Sequence, residues 1–118
     1  MNKEDLRRRT KEFAIKIITL VASLPKNKIT DVVGYQLLKS GTSIGANYRE
    51  ACRARSRADF ISKIGIVEQE ADETLYWLEL LAEMDFLAKN VLEPLQRECD
   101  ELLSIFVATG RSTKSPKP

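Results

Sequence analysis

The sequence predicts an all-α protein, an antiparallel up-down-up-down four-helix bundle, and three observations lead there. Apolar residues recur at spacings of three and four in four successive segments, the mark of helices that each bury one stripe. Only short polar or proline-marked connections separate the segments, and helices joined so closely pack as antiparallel neighbours. The composition, 43% hydrophobic and 31% charged with five Gly and four Pro, is that of a helical domain with one core. A chain of 118 residues holds a single domain, placed at residues 1–110, with a flexible basic tail at 111–118.

The first helix is expected over about residues 5–24, because Leu6, Phe13, Ile17, Leu20, Val21 and Leu24 share one side of a helical wheel. Pro25 stops it. Lys26 to Ile29 read as a turn and Thr30 as the N-cap of a second helix over about 31–54, with Asp31 placed against the helix dipole. Ser56-Arg57-Ala58-Asp59 has the S-x-x-D form of a capping box, so a third helix starts near residue 57 and folds back along the second. That helix, over 57–84, carries the cleanest seam: Phe60, Ile64, Val67, Ala71, Thr74, Leu78 and Leu81. Asp85 to Val91 connect it to a fourth helix over about 93–109, with Pro94 in the first turn and a stripe of Leu95, Cys99, Leu102 and Phe106.

The second helix has an oddity on its buried side. Gly41 and Gly45 lie one turn apart, and a glycine in a helix interior costs about 1 kcal/mol against alanine. Close backbone approach of another helix offsets such a cost, so Gly41, Ile44, Gly45 and Tyr48 are assigned to a contact with a helix of the same chain or of a sister chain. The alternative is that Ser40 to Ser43 form a loop, Gly41 ending one helix and Ser43 capping the next. Glu70 and Glu73 on the third helix are expected to face Asn47, Arg49, Glu50 or Arg53 of the second helix or of a neighbouring subunit, and Trp77 joins the contact. Their opposite charges suit links that fix register, with Arg49 and Glu70 as the named pair.

The net charge of +2 hides an asymmetry. Residues 1–60 hold thirteen Lys and Arg against six acids, and residues 61–118 hold six against eleven. Antiparallel topology gathers Lys3, Arg7, Arg8, Arg9, Lys11, Arg53, Arg55, Arg57, Lys63, Arg111, Lys114 and Lys117 at one pole. Helices roughly 30 Å long keep the poles several Debye lengths apart. Of these, Arg7, Arg8, Arg9, Lys11, Arg53, Arg55, Arg57, Arg111 and Lys114 are the expected contacts to the phosphates of RNA or DNA. No helix-turn-helix, zinc knuckle or stacking platform accompanies them, so the binding expected is indifferent to sequence and sensitive to salt. The alternative is that the charges only solvate the end of the bundle or pair with acids of sister chains.

Other chemistry finds little footing. The chain has no His, which removes the usual general base and the E-x-x-H ligands that a di-iron bundle would add to Glu68, Glu70, Asp72, Glu73 and Glu79. G-T-S-I-G-A lacks the lysine and spacing of a phosphate-binding loop. Cys52 and Cys99 read as reduced core thiols, and no cofactor is expected. No segment reads as a membrane span or a signal-peptide apolar region, which gives a cytoplasmic expectation.

Four strings carry a family resemblance: S-G-T-S-I-G-A-N-Y-R-E-A (Ser40 to Ala51), D-F-I-x-K-I (Asp59 to Ile64), E-A-x-E-T-x-Y-W-L-E-L-L (Glu70 to Leu81) and E-C-D-E-L-L-x-I-F (Glu98 to Phe106). The chain resembles the four-helix-bundle proteins encoded in intervening sequences of bacterial 23S ribosomal RNA genes. The resemblance implies a bundle that assembles as a ring-shaped homopentamer and implies no established chemistry. A more distant similarity links it to accessory proteins of diversity-generating retroelements, pentameric bundles that engage a reverse transcriptase and nucleic acid. The expectation is a non-catalytic module. It docks copies of itself through the tight face of the second helix and meets nucleic acid, or an unidentified protein partner, at its basic pole.

Overall fold

A computed structural model of the chain describes residues 1–115 and consists of four helices: α1 (Lys3–Ala22), α2 (Lys28–Cys52), α3 (Arg57–Met84) and α4 (Lys89–Lys114). There is no strand among the described residues. The rod measures 52 × 21 × 20 Å. Along α2, Gly34 lies beside Val21 and Leu24, Gly41 beside Ile17, and Gly45 beside Thr10, so α1 and α2 run in opposite directions. Arg57 at the start of α3 bonds to Thr113 and Ser115 at the end of α4, which sets that pair antiparallel as well. The seams α1–α2, α2–α3 and α3–α4 are extensive, whereas α1 and α4 meet only briefly.

The helix starts are decided by caps that periodicity does not reveal. Asn2 caps α1: its side chain accepts from the Asp5 amide at 2.8 Å while Asp5 accepts from the Asn2 amide, and the helix begins two residues before the expected start. Asn27, rather than Thr30, caps α2. Its side-chain oxygen accepts from the Ile29 and Thr30 amides at 3.0 Å each, and the Thr30 hydroxyl accepts from the Asn27 amide at 3.1 Å. Asparagine ranks with the best N-caps, so α2 gains its first turn from what read as a connection. Ser56 caps α3 as expected, although the Asp59 carboxylate accepts from Arg55 in place of Ser56.

The ends differ too. α1 stops at Ala22 because Pro25 disfavours helical geometry in the residue before it, and α2 stops at Cys52. α3 ends at Met84, with Asp85 in the left-handed region at φ 61°. α4 exceeds its expected bounds in both directions. Pro94 lies beyond the first turn, and burial of Leu92 draws the preceding turn onto the core. At the other end Gly110 is buried and the helix continues through Arg111 to Lys114, so those residues are not a frayed tail. The remainder of the expected tail, residues 116–118 with Lys117, lies outside the described residues.

The core is the one the stripes define. Leu6, Phe13, Ile17 and Leu20 meet Leu37, Ile44 and Tyr48 from α2, Ile64, Val67, Ala71, Leu78 and Leu81 from α3, and Leu92, Leu95, Cys99, Leu102 and Phe106 from α4. Phe60, expected in the α3 seam, is half-buried at its edge. Thr10 is a buried position that the apolar pattern misses. Its hydroxyl is satisfied locally, donating to the Leu6 and Arg7 carbonyls at 2.9 and 3.0 Å.

Candidate nucleic-acid interface

The topology brings the first turns of α1, the corner between α2 and α3, and the last turns of α4 to one end. Lys3 lies 5.7 Å from the Phe60 ring centre, a cation–π contact that ties the start of α1 to the start of α3. Arg57 donates from Nε to the Thr113 carbonyl at 2.7 Å and from Nη2 to the Ser115 carbonyl at 2.8 Å. A cation on these terminal carbonyls favours the helix dipole and fastens the last turn of α4. Arg57 is therefore a structural cap, a role beyond the phosphate contact expected of it.

Arg9 too has a partner within the bundle. Its Nε and Nη2 donate to Glu98 Oε2 and Oε1 at 2.7 and 2.6 Å, and Nη2 lies 3.5 Å from Glu101. The fork is 22% exposed on the arginine side and 23% on the glutamate side, and it holds its guanidinium pKa above the ordinary value chiefly through the hydrogen bond to Glu98. At 100° per residue, Arg9 turns toward α4 and Arg7 and Lys11 toward α2, with Arg8 between them and lining both sides. Because the α1–α4 seam is short, this clamp bears much of it. Glu98→Ala should lower stability by about 1–2 kcal/mol, and Arg9→Lys by nearly as much since lysine cannot make the fork; urea unfolding midpoints check both.

The remaining cations form a concave site. Arg7, Arg8 and Lys11 on α1 and Arg49 and Arg53 on α2 line a groove of about 590 Å³, floored by Ala14, Thr42, Gly45 and Ala46. No acid lines it. Arg8 also meets Asp5 at 3.2 Å, an exposed pair of the kind that contributes little and opens readily. Arg7 reaches toward the buried Tyr48: burial first, and the neighbouring Cys52 second, push the phenol above its ordinary range, and Arg7 opposes them. Of the nine expected phosphate contacts, Arg7, Arg8, Lys11 and Arg53 come together here. Arg55, Arg111 and Lys114 are exposed elsewhere on the same end. Arg49 was missed as a groove residue. Its signal is the four-residue spacing to Arg53, which puts both on one face.

The glycine face proves to be internal. A Cβ on Gly41 would sit 2.9 Å from Ile17 Cγ2, and one on Gly45 would sit 3.2 Å from Thr10 Oγ1, so the closely approaching helix is α1 of the same chain. Gly41, Ile44, Gly45 and Tyr48 are buried against the rest of the chain, with Gly45 at the base of the groove. Nor is Ser40 to Ser43 a loop: the Thr42 and Ser43 hydroxyls donate back to the Leu38 and Lys39 carbonyls at 2.7 and 2.6 Å within a continuous helix. Asn47 likewise donates to the Ser43 carbonyl at 2.8 Å, and Glu50 is exposed.

The Arg49–Glu70 pair does not form within the chain. Glu70 lies thirteen residues beyond Arg57 and so meets the residue thirteen before Cys52, which is Lys39. Burial and the neighbouring Glu73 raise the Glu70 pKa, and Lys39 only partly opposes them. Glu73 accepts instead from the Trp77 indole at 3.5 Å, with Trp77 half-buried and edge-on to an exposed Tyr76 at 5.2 Å. A carboxyl pKa raised in the fold costs stability as pH climbs through the ordinary carboxylate range. Glu70→Gln should therefore raise Tm slightly at pH 7 and leave it unchanged at pH 3.5, a comparison thermal unfolding makes directly.

Cys99 donates to the Ala71 carbonyl at 3.3 Å, and its thiol is pushed up to about 12, by burial first and then by Asp100, Asp72, Glu98 and Glu79. Such a thiol is unreactive at neutral pH. Cys52 is half-buried and also free. Among the described residues no helix is long and apolar enough to cross a membrane.

Fold and site together define a four-helix bundle with a cationic groove at one end. The chain belongs to the 23S rRNA-intervening sequence protein family, whose model matches residues 2–108. It is similar to the crystal structure of a protein with unknown function from the S23 ribosomal protein family of Bacteroides thetaiotaomicron VPI-5482. The two are 38% identical with a TM-score of 0.86, over 94% of this chain and 99% of that one. No curated protein matches it.

Proposed function

We propose that this chain is a non-catalytic, cytoplasmic, self-associating bundle that holds nucleic acid by its phosphates at the basic end, without reading base sequence. The observation that carries the reading is the groove between α1 and α2, where five cationic side chains line one concavity that no acid enters. Cations so placed displace condensed counterions, the main source of sequence-indifferent affinity. Self-association is supported by apolar side chains left outside the core, among them Ile15, Ile18, Val32, Tyr35, Ile66 and Tyr76. A ring of five is what the family resemblance implies.

Gel retardation of RNA and DNA at low salt tests the reading: retention that disappears as salt rises supports it, and no retention at low salt removes it. Light scattering with and without RNA reports the size of the assembly in the same preparation. A second reading, a structural scaffold that touches only protein, is favoured by the use of Arg9 and Arg57 as fasteners of the bundle. It predicts the same assembly with no salt-sensitive retention.

A further inference from the structure

We infer that the α1–α2 groove accepts one strand of a polynucleotide and so distinguishes single-stranded from duplex nucleic acid; the inference rests on the nucleic-acid reading above. Arg7 and Lys11 stand one helical turn apart on one wall, and Arg53 and Arg49 stand one turn apart on the other. With Gly41 against Ile17 and Gly45 against Thr10, Arg7 stands about level with Arg49, Lys11 one turn to one side and Arg53 one turn to the other, so the charges follow the channel in steps of roughly 6 Å. Between the walls the floor consists of Ala14, Thr42, Gly45 and Ala46, all too short to fill it.

The depth has a structural origin. Gly45 lets α2 settle against Thr10, so the helix surfaces meet low and the long basic side chains stand up on either side. Neighbouring helix axes lie about 8–10 Å apart, so long side chains on the two walls can reach the same strand from either side. A duplex is convex, with its two backbones held apart across grooves about 6–12 Å wide. It can touch the rims with one backbone at a time, but it cannot reach the floor. A flexible strand can sink between the walls and place successive phosphates against these staggered charges. No aromatic side chain lines the channel, so the bases face outward unstacked and unread.

Four to five contacts on a single strand give a slope of log K against log salt of about −3, at roughly 0.7 per contact. Fluorescence anisotropy on a short labelled mixed-sequence strand, and on the duplex of the same sequence, between about 50 and 200 mM salt provides the test. The strand should bind at least about tenfold more tightly than the duplex. Ala46→Leu changes no charge and fills an exposed floor position on a helix. It should bring strand affinity down to that of the duplex while duplex affinity stays as it was, and Ala46→Gln repeats the obstruction with a polar chain. Equal affinity for strand and duplex overturns the inference, and so does full strand affinity in folded Ala46→Leu and Ala46→Gln. Failure of the parent protein to retain either form at low salt removes the nucleic-acid reading itself.

Discussion

Phe106→Ala is expected to lower stability by about 3–5 kcal/mol, because the fully buried ring of α4 leaves a cavity that its surroundings fill only in part. Its ring centre lies 5.4 Å from that of Tyr48 at a tilt of 47°, so the cavity would also strip the phenol of its aromatic neighbour. Tyr48 in turn lies at the base of the wall that carries Arg49 and Arg53. Thermal unfolding should show a fall in Tm on the order of 15 °C. Phe106→Leu, which keeps most of the volume, should lose clearly less. A drop of only a few degrees for the alanine variant would mean that α4 does not close the core as described.

The second large effect concerns binding. Lys11→Glu with Arg49→Glu reverses one charge on each wall of the groove. Each phosphate contact to a single strand is worth about 0.7 of a log unit per tenfold change in salt, so two lost contacts lower affinity roughly twenty-fivefold near 0.1 M. The introduced carboxylates oppose the phosphates further and carry the loss to the order of a hundredfold. Both residues are exposed, so the fold should survive, as circular dichroism will register. Arg55→Glu with Lys114→Glu makes the same change in net charge on the same end but outside the groove, and should cost only several-fold. Equal losses for the two double variants would show that the end attracts nucleic acid as a diffuse charge.

The α3 seam was legible because Ile64, Val67, Ala71, Thr74, Leu78 and Leu81 repeat strictly at helical spacing, and all six are buried. The start of α2 was not, because Asn27 sits between two lysines just after Pro25 and its capping role depends on a side-chain rotamer. Gly41 and Gly45 announced a close approach correctly, yet periodicity identifies a face and never its partner. The partner turned out to be Ile17 and Thr10 of the same chain. The basic end was legible from topology, since an antiparallel bundle must return those segments to one place. Which of its cations are spoken for was not. Arg7 and Arg9 are two apart in sequence, but the turn of the helix directs one to the groove and the other to Glu98.

An even number of helices has a practical corollary. Residue 1 lies near Arg9, and residue 115 lies against Arg57, so both mark the same extremity of the rod as the groove. A peptide fused ahead of residue 1 starts from that extremity, and on the nucleic-acid reading proposed above an acidic purification tag there would compete with the phosphates and a basic one would add to the charge. Removing such tags before titration decides whether the measured affinity belongs to the bundle or to its handle.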